Sequence, residues 1–378
     1  MSSQAVAVVV PNLAVGGLQA MAVALAAALD QQRFLCKFYT FDGEGPLVES
    51  LAAAGLIHRY LPRPAGVAAE YAKRLSEMFV ADDIALVHCH NITAMFHGSR
   101  AAWRAGRLPV LFTEHDREMP APMRHRLLHR WLARRVHETA TVSAGLTRDL
   151  VRLEGFSPRR THPLLNGIPD PAEALSQTTD ICERRAAARA MLGWDDRPVV
   201  LAVGTLTPVK NHTGLLDAWN QLLAARSDPA RLVVAGEGPE RARLEQQLSA
   251  MPKDSVKLLG TRSDVPTLLA ACDLFVLPSH REGLPLCLVE AHAMSRAAVA
   301  FDTGGNNEVI VDGETGLLVP LGDLSGLATT LGRLLDDGAR REAMGQRGRH
   351  RFLEHFTHER MVVDYIEVYE RLLATRWN

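Results

Sequence analysis

Two carboxylates stand in the stretch Pro278 to Ala293, which reads PSHREGLPLCLVEAHA: Glu282 and Glu290. The apolar run Leu274 to Leu277 predicts a strand leading into it. Pro278 and Ser279 stop that strand, Gly283 and Pro285 shape a turn, and Leu286, Val289 and Ala293 recur at helical spacing. A helix that opens straight after a tight turn presents backbone N–H groups and the positive end of its dipole, which suits an anion. Carboxylates do not bind phosphate, but they accept hydrogen bonds from sugar hydroxyls. Amides for phosphate beside carboxylates for hydroxyls fit a nucleotide-sugar. Glu290 is flanked by Val289 and Ala291 in an apolar helix, where an unpaired carboxylate is costly.

Other segments carry polar groups at the ends of strand-like runs. Val199 to Val203 is followed by Gly204, Thr205 and, at the expected start of a helix, Lys210, whose charge would add to the helix dipole. Ala5 to Val10 reads as a buried parallel strand, and Gly16 and Gly17 open the Ala-rich helix Leu18 to Leu29. Glycines there let backbone N–H groups approach an anion, or merely make a tight turn. The nicotinamide fingerprint G-x-G-x-x-G is absent. His88-Cys89-His90-Asn91, Thr113-Glu114-His115-Asp116 and Ser143 follow three further strands. The alternate placing of His88 and His90 allows a metal pair, but the expectation is one histidine inside the sheet and one at a cleft rim.

The E-x7-E spacing, with Gly-Leu-Pro after Glu282 and Ala after Glu290, resembles the retaining GT-B glycosyltransferases of family 4. Gly204 to Asn211 is similar to that family's G-R-L-x-x-x-K-[GN] segment, with Thr205 in place of the usual Arg. Arg262 and Arg281 are the candidates to supply the missing cation. Asp302 to Glu308, with Gly304 and Gly305, resembles the G-G-x-x-E turn whose glycines meet the donor sugar, and Asn166-Gly167-Ile168-Pro169 the segment leading to the linker.

The resemblance implies an α/β chain of GT-B type, two Rossmann-like doubly wound domains facing across a cleft. Residues 1–169, with a crossover helix 358–378, would take the acceptor, and residues 170–357 the nucleotide-sugar. It implies His115, Glu282 and Lys210 as catalytic residues. Gly16, Gly17, Thr205, Lys210, Gly260, Thr261, Arg262, Glu282, Gly283, Leu284, Pro285, Leu286 and Glu290 would surround the donor, with Glu290 on the ribose. The reaction implied is retaining transfer on the leaving-group side, from a UDP-sugar in preference to a GDP-sugar, to a glycan or lipid-linked acceptor. No D-x-D triplet occurs, so neither a metal nor another cofactor is expected.

The 378 residues exceed one ordinary core and suggest two domains. A net charge of −1 implies no nucleic-acid partner. The five cysteines show no metal-ligand spacing and suit a reducing cytosol. Pro11 and Asn12 cut short the first apolar run, so it makes a poor signal peptide, and no run is long enough to span a bilayer. Strand-like pieces near Lys37–Phe41, Ile57–Leu61, Ile84–Cys89, Val110–Thr113 and Thr139–Val142 alternate with helical ones, the pattern of a parallel sheet.

Met123 to His137 is different. Leu127, Leu128, Trp131 and Leu132 share a helical face, and Arg124, Arg126, Arg130, Arg134 and Arg135 crowd the remainder. Such a helix either lies on an anionic membrane surface, which would make the protein peripheral on the cytoplasmic face, or packs its stripe on the sheet with its arginines in water. Two rival functions remain: a nucleotide-sugar epimerase of the same fold, and a two-domain sugar-binding protein, which would need an export signal.

Overall fold

The computed structural model describes residues 3–14, 16–29, 33–63, 68–116, 121–173, 175, 180–226 and 230–374. The side chain of Arg124 and, in the expected linker Asp170 to Asp196, residues 174 and 176–179 lie outside the described residues. The chain forms two compact units: Met1–Asn166 with His358–Asn378, and Gly167–Thr357.

The first unit begins β1 (Gln4–Val9), α1 (Gly17–Ala28), β2 (Phe34–Thr40), α2 (Leu47–Ala53), β3 (Ile57–Tyr60), α3 (Ala68–Ala81) and β4 (Ile84–His90). It continues α4 (Ile92–Arg104), β5 (Val110–Glu114), α5 (Met123–Ala133), β6 (Glu138–Thr141), α6 (Ala144–Asp149), a π-helical turn Leu150–Glu154 and β7 (Thr161–Pro163). The second unit runs α7 (Ile181–Leu192), β8 (Val199–Val203), a 3-10 turn Pro208–Lys210, α8 (His212–Ala224), β9 (Arg231–Ala235), α9 (Arg241–Leu248), β10 (Val256–Leu258) and α10 (Val265–Ala271). Then come β11 (Leu274–Leu277), α11 (Leu286–Ala293), β12 (Ala298–Phe301), α12 (Asn306–Val309), β13 (Gly316–Val319), α13 (Leu324–Asp336) and α14 (Gly338–His355). The last helix, α15 (His358–Ala374), belongs to the first unit.

Both sheets are wholly parallel. Their orders are β3-β2-β1-β4-β5-β6-β7 and β10-β9-β8-β11-β12-β13. Each is a doubly wound sheet whose order reverses once, between β1 and β4 and between β8 and β11. In such sheets the crevice for a ligand opens beyond the C-terminal strand ends at that reversal. The alternation along β1 explains the layering. Val6 and Val8 join a core with α1 and α15, while Ala5, Ala7 and Val9 face Tyr71 and Phe79 of α3. On α15, Met361, Tyr365, Tyr369 and Leu372 are buried at helical spacing. Burying each such side chain contributes roughly 1.5–3 kcal/mol, which is why this distant segment joins the first sheet. Helix starts are set locally: Asn91, Ser143, Asp180, Asp323 and Asp337 each accept a backbone N–H of the first turn.

Two sequence expectations change. Short α2 and β7 had no sequence signal of their own. β13, within the stretch Gly313 to Val319, is an edge strand parallel to β12. Lys210 does not begin a helix. It ends the 3-10 turn, and Asn211, at φ +54, separates it from α8. The apolar stripe of α5 does not pack as a unit: Leu132 is buried, but Leu127 is 62% exposed and Trp131 42%.

In the second unit a buried ion pair ties α7 to the sheet. Asp273 accepts from Arg189 at 2.7 Å, Arg185 at 2.8 Å and the backbone N–H of Val199 at 2.7 Å. The Arg189 guanidinium also donates to the carbonyls of Ala271, Asp195 and Arg197. Asp273→Ala leaves that guanidinium buried and uncompensated. It should lower unfolding stability by about 3–5 kcal/mol in urea titrations.

Candidate functional site

At the sheet reversal of the second unit, the loops after β8, β11 and β12 meet backbone to backbone. The turn after β11 is held on one side by Val209, whose carbonyl accepts the His280 N–H at 2.8 Å, and by Asn211, whose amide donates to the Pro278 carbonyl at 3.2 Å. On the other side the Gly305 N–H donates to the Glu282 carbonyl at 2.9 Å. A Cβ on Gly304 would collide with the Glu282 carbonyl oxygen, and one on Gly305 with that of Gly283. Gly304 also has φ +51. These glycines therefore let the two loops pack closely.

That packing presents Glu282 to Lys210. Lys210 Nζ donates to Glu282 Oε1 at 2.6 Å, with the carboxylate side chain 10% exposed and the lysine 22%. Gly283, Leu284 and Pro285 are buried behind it, and Pro285 caps α11 from an extended conformation. The first N–H groups of α11, those of Leu286 and Cys287 among them, have no partners within the helix. Glu290 lies one turn further on, and burial pushes its carboxyl up to about 7. Burial, with Glu282 second, pushes the Cys287 thiol up to about 12. Beside Gly204, burial and then Lys210 lower the His212 imidazole to about 4, so it is neutral at pH 7. Lys210 thus faces a neutral ring on one side and a carboxylate on the other.

The remaining candidates of this unit lie around the same strand ends. Thr205 is exposed, 3.5 Å from the Thr207 hydroxyl. Gly260, at φ +73, accepts the Gly236 N–H, and Thr261 beside it is exposed. Arg262 makes a forked pair with Asp264, at 2.7 and 2.5 Å, so its guanidinium already has a carboxylate partner.

In the first unit, His88 and His90 are both fully buried, which corrects the expectation of one at a rim. His88 bridges the Tyr369 hydroxyl and the Thr113 hydroxyl, each at 2.8 Å, so both ring nitrogens already have protein partners. His90 Nδ1 lies 3.0 Å from His115 Nε2 with the rings stacked. Burial lowers His88 and His115 to about 3, and His90 falls well below its ordinary range. The pair is neutral, so one ring donates and the other accepts. His90 Nε2 has no partner among the described residues. An orphaned buried acceptor is tolerated better than an orphaned N–H. The proton therefore belongs on His90 Nδ1, which leaves His115 Nδ1–H as a donor. The sequence showed His90 at a strand end, but nothing local to it pointed to His115. Gly16 caps α1 and Gly17 begins it, with open space where a Cβ would stand on Gly17.

Residues 15–170 match the family described as Glycosyltransferase Family 4, and residues 185–351 match Glycosyl transferases group 1. The chain belongs to the family 4, group 1 glycosyltransferases. Its fold is GT-B, shared with Anabaena HepE in complex with UDP (TM-score 0.86, 20% identity, 97% of this chain and 100% of that one). A glycosyltransferase from Rickettsia africae gives a TM-score of 0.85 at 17% identity over the full length of both chains. Among curated relatives, an alpha-D-kanosaminyltransferase of Streptomyces kanamyceticus is 37% identical, over 43% of each chain. A GDP-mannose-dependent monoacylated alpha-(1-6)-phosphatidylinositol monomannoside mannosyltransferase of Corynebacterium glutamicum is 34% identical, over 50% of this chain and 51% of that one. This family 4 chain thus spans about half the length of these two relatives.

The loop contacts yield a paired test. Gly305→Ala forces the 282–283 turn to move and should lower stability by about 1–3 kcal/mol. Gly17→Ala enters open space and should change it by less than about 0.5 kcal/mol. Urea unfolding of the two variants measures the difference.

Proposed function

We propose that this chain is a retaining glycosyltransferase that moves a sugar from a nucleotide-diphosphate sugar, UDP-linked in preference to GDP-linked, to a glycan or lipid-linked acceptor. The observation that carries the reading is the Lys210–Glu282 pair at 2.6 Å beside the start of α11. In this reading the cation and the helix amides neutralise the leaving diphosphate, and the carboxylate accepts from sugar hydroxyls. Glu290 holds the ribose, His115 donates to the donor sugar, and Gly16 and Gly17 bring backbone amides to the phosphates. The departing phosphate takes the acceptor proton, so no protein base is needed. Synthesis of glycolipid or surface polysaccharide suits relatives such as the Corynebacterium enzyme, named for a phosphatidylinositol mannoside. The setting proposed is the cytoplasmic face of a membrane. No helix among the described residues is long and apolar enough to cross one. Met123 and Leu127 of α5 are exposed beside Arg126, Arg130 and Arg134, and Arg135 lies 3.6 Å over the Trp131 ring.

Incubation with UDP-, GDP- and ADP-sugars and a panel of glycan and lipid-linked acceptors tests the reading, and anomeric analysis of the product tests retention. Lys210→Ala should cut kcat by about 10²–10³-fold, and turnover should persist in EDTA. Loss of turnover on chelation, with recovery on adding magnesium, would contradict the metal-free mechanism.

Glu290 gives a pH signature. Its folded-state pKa is raised to about 7, so below that the carboxyl is increasingly protonated and cannot accept from two ribose hydroxyls. Nucleotide affinity should therefore rise with pH up to about 7 and then level off. Below that point it should change by up to about tenfold per pH unit, until the loss reaches that of a neutral side chain. Glu290→Gln should remove the dependence and weaken binding by about 1–3 kcal/mol at pH 8. Calorimetry across pH reads both effects. A pH-independent affinity in the unsubstituted protein would overturn the ribose assignment.

A further inference from the structure

Three arginines surround one open cavity of about 470 Å³ in the first unit: Arg130 and Arg134 of α5, and Arg160 just before β7. Thr139, Ser157 and Thr161 line it with them. Among the described residues none of the three guanidiniums has a carboxylate within ion-pair distance. The acids nearest in the chain are engaged elsewhere. Glu154 is buried and accepts from His129 at 2.7 Å and from the Ala121 N–H at 2.9 Å. Glu138 is held by Arg371 at 2.6 Å and His162 at 3.2 Å. Converging cations without counter-charge repel one another, and a bound anion relieves that repulsion.

The cavity is built into the fold. Gly155 ends the π-helical turn in the left-handed cap conformation at φ +75, and the Arg130 guanidinium lies against it. Thr161 is buried, and its hydroxyl has no hydrogen-bond partner among the described residues. Thr139 and Thr161 are neighbours at the beginnings of the parallel strands β6 and β7. The cavity therefore lies at the N-terminal ends of these strands, whereas His115 and Ser143 follow the C-terminal ends of β5 and β6. It is distinct from the crevice that a doubly wound sheet offers to a nucleotide. Its volume falls in the range of about 300–1,000 Å³ usual for small-ligand sites.

We propose that this cavity is a second anion site that takes a phosphate monoester. The guanidinium forks match phosphate oxygens two by two, and the Ser157 and Thr161 hydroxyls add neutral donors. The phosphate belongs either to a lipid headgroup or to a soluble phosphorylated compound. Met123 and Leu127, exposed at 73% and 62% on the same helix, place apolar surface beside the arginines, as a headgroup site requires. The proposal deepens the membrane reading above. It does not need the transferase reading, because it is measured without turnover.

The test is calorimetric titration of the full chain with inorganic phosphate at constant ionic strength. Lys210→Ala serves as a background that disables the donor phosphate site. Binding should persist in Lys210→Ala and in an Arg126→Gln control. It should weaken at least tenfold in Arg130→Gln/Arg134→Gln/Arg160→Gln, whose substitutions lie on exposed side chains. Equal affinity in the triple variant, or loss of all phosphate binding in Lys210→Ala, overturns the proposal. A second arm identifies the source by co-sedimentation with phosphatidylcholine vesicles with and without phosphatidic acid. Sedimentation that needs phosphatidic acid, is lost in the triple variant and is displaced by inorganic phosphate assigns a lipid headgroup. Phosphate binding without sedimentation assigns a soluble ligand.

Discussion

Lys210 reaches Glu282 only because the loops after β8, β11 and β12 touch through their backbones. Gly304 and Gly305 let the third loop close on the carbonyls of Glu282 and Gly283, and the carbonyls of Val209 and Pro278 join the first two. Remove either approach and the carboxylate has no fixed position relative to the ammonium. The pair is a partly buried charge contact in which each partner compensates the desolvation of the other. Chemistry in this unit therefore rests on glycines that contribute no functional group.

The two sheets solve one topological problem twice. Parallel strands need crossover helices, and a sheet wound both ways from its centre leaves a crevice where the order reverses. In the first unit the histidines at that edge are buried deeply enough to stay neutral, and they are ordered by one another, by Tyr369 of α15 and, through the Thr113 hydroxyl, by Tyr365. The last helix is thus part of the support of the first sheet's polar centre, although it lies at the far end of the chain.

Helix α5 shows how a sequence pattern can be right about amphipathicity and wrong about direction. Leu127, Leu128, Trp131 and Leu132 share a face by spacing, yet only Leu132 reaches the core. His129 and Glu154 pin the helix beneath, through a hydrogen bond between elements that local periodicity does not register. The apolar remainder is turned outward beside Arg130 and Arg134, which have no carboxylate partner among the described residues.

Strand and helix alternation, the E-x7-E stretch and the lysine after β8 were legible in the sequence, because hydrophobic period, turn residues and charge spacing are local properties of the chain. So was the GT-B class, through a resemblance carried by contiguous motifs. Tertiary structure alone decided the rest. It buried both His88 and His90, joined His90 to His115, gave Arg262 to Asp264, and made Gly304 and Gly305 packing elements. It also gathered Arg130, Arg134 and Arg160 around one cavity. Each of these depends on which strand ends and helix faces meet, and that is settled by the free energy of burying whole faces together rather than by any residue's neighbours in the chain.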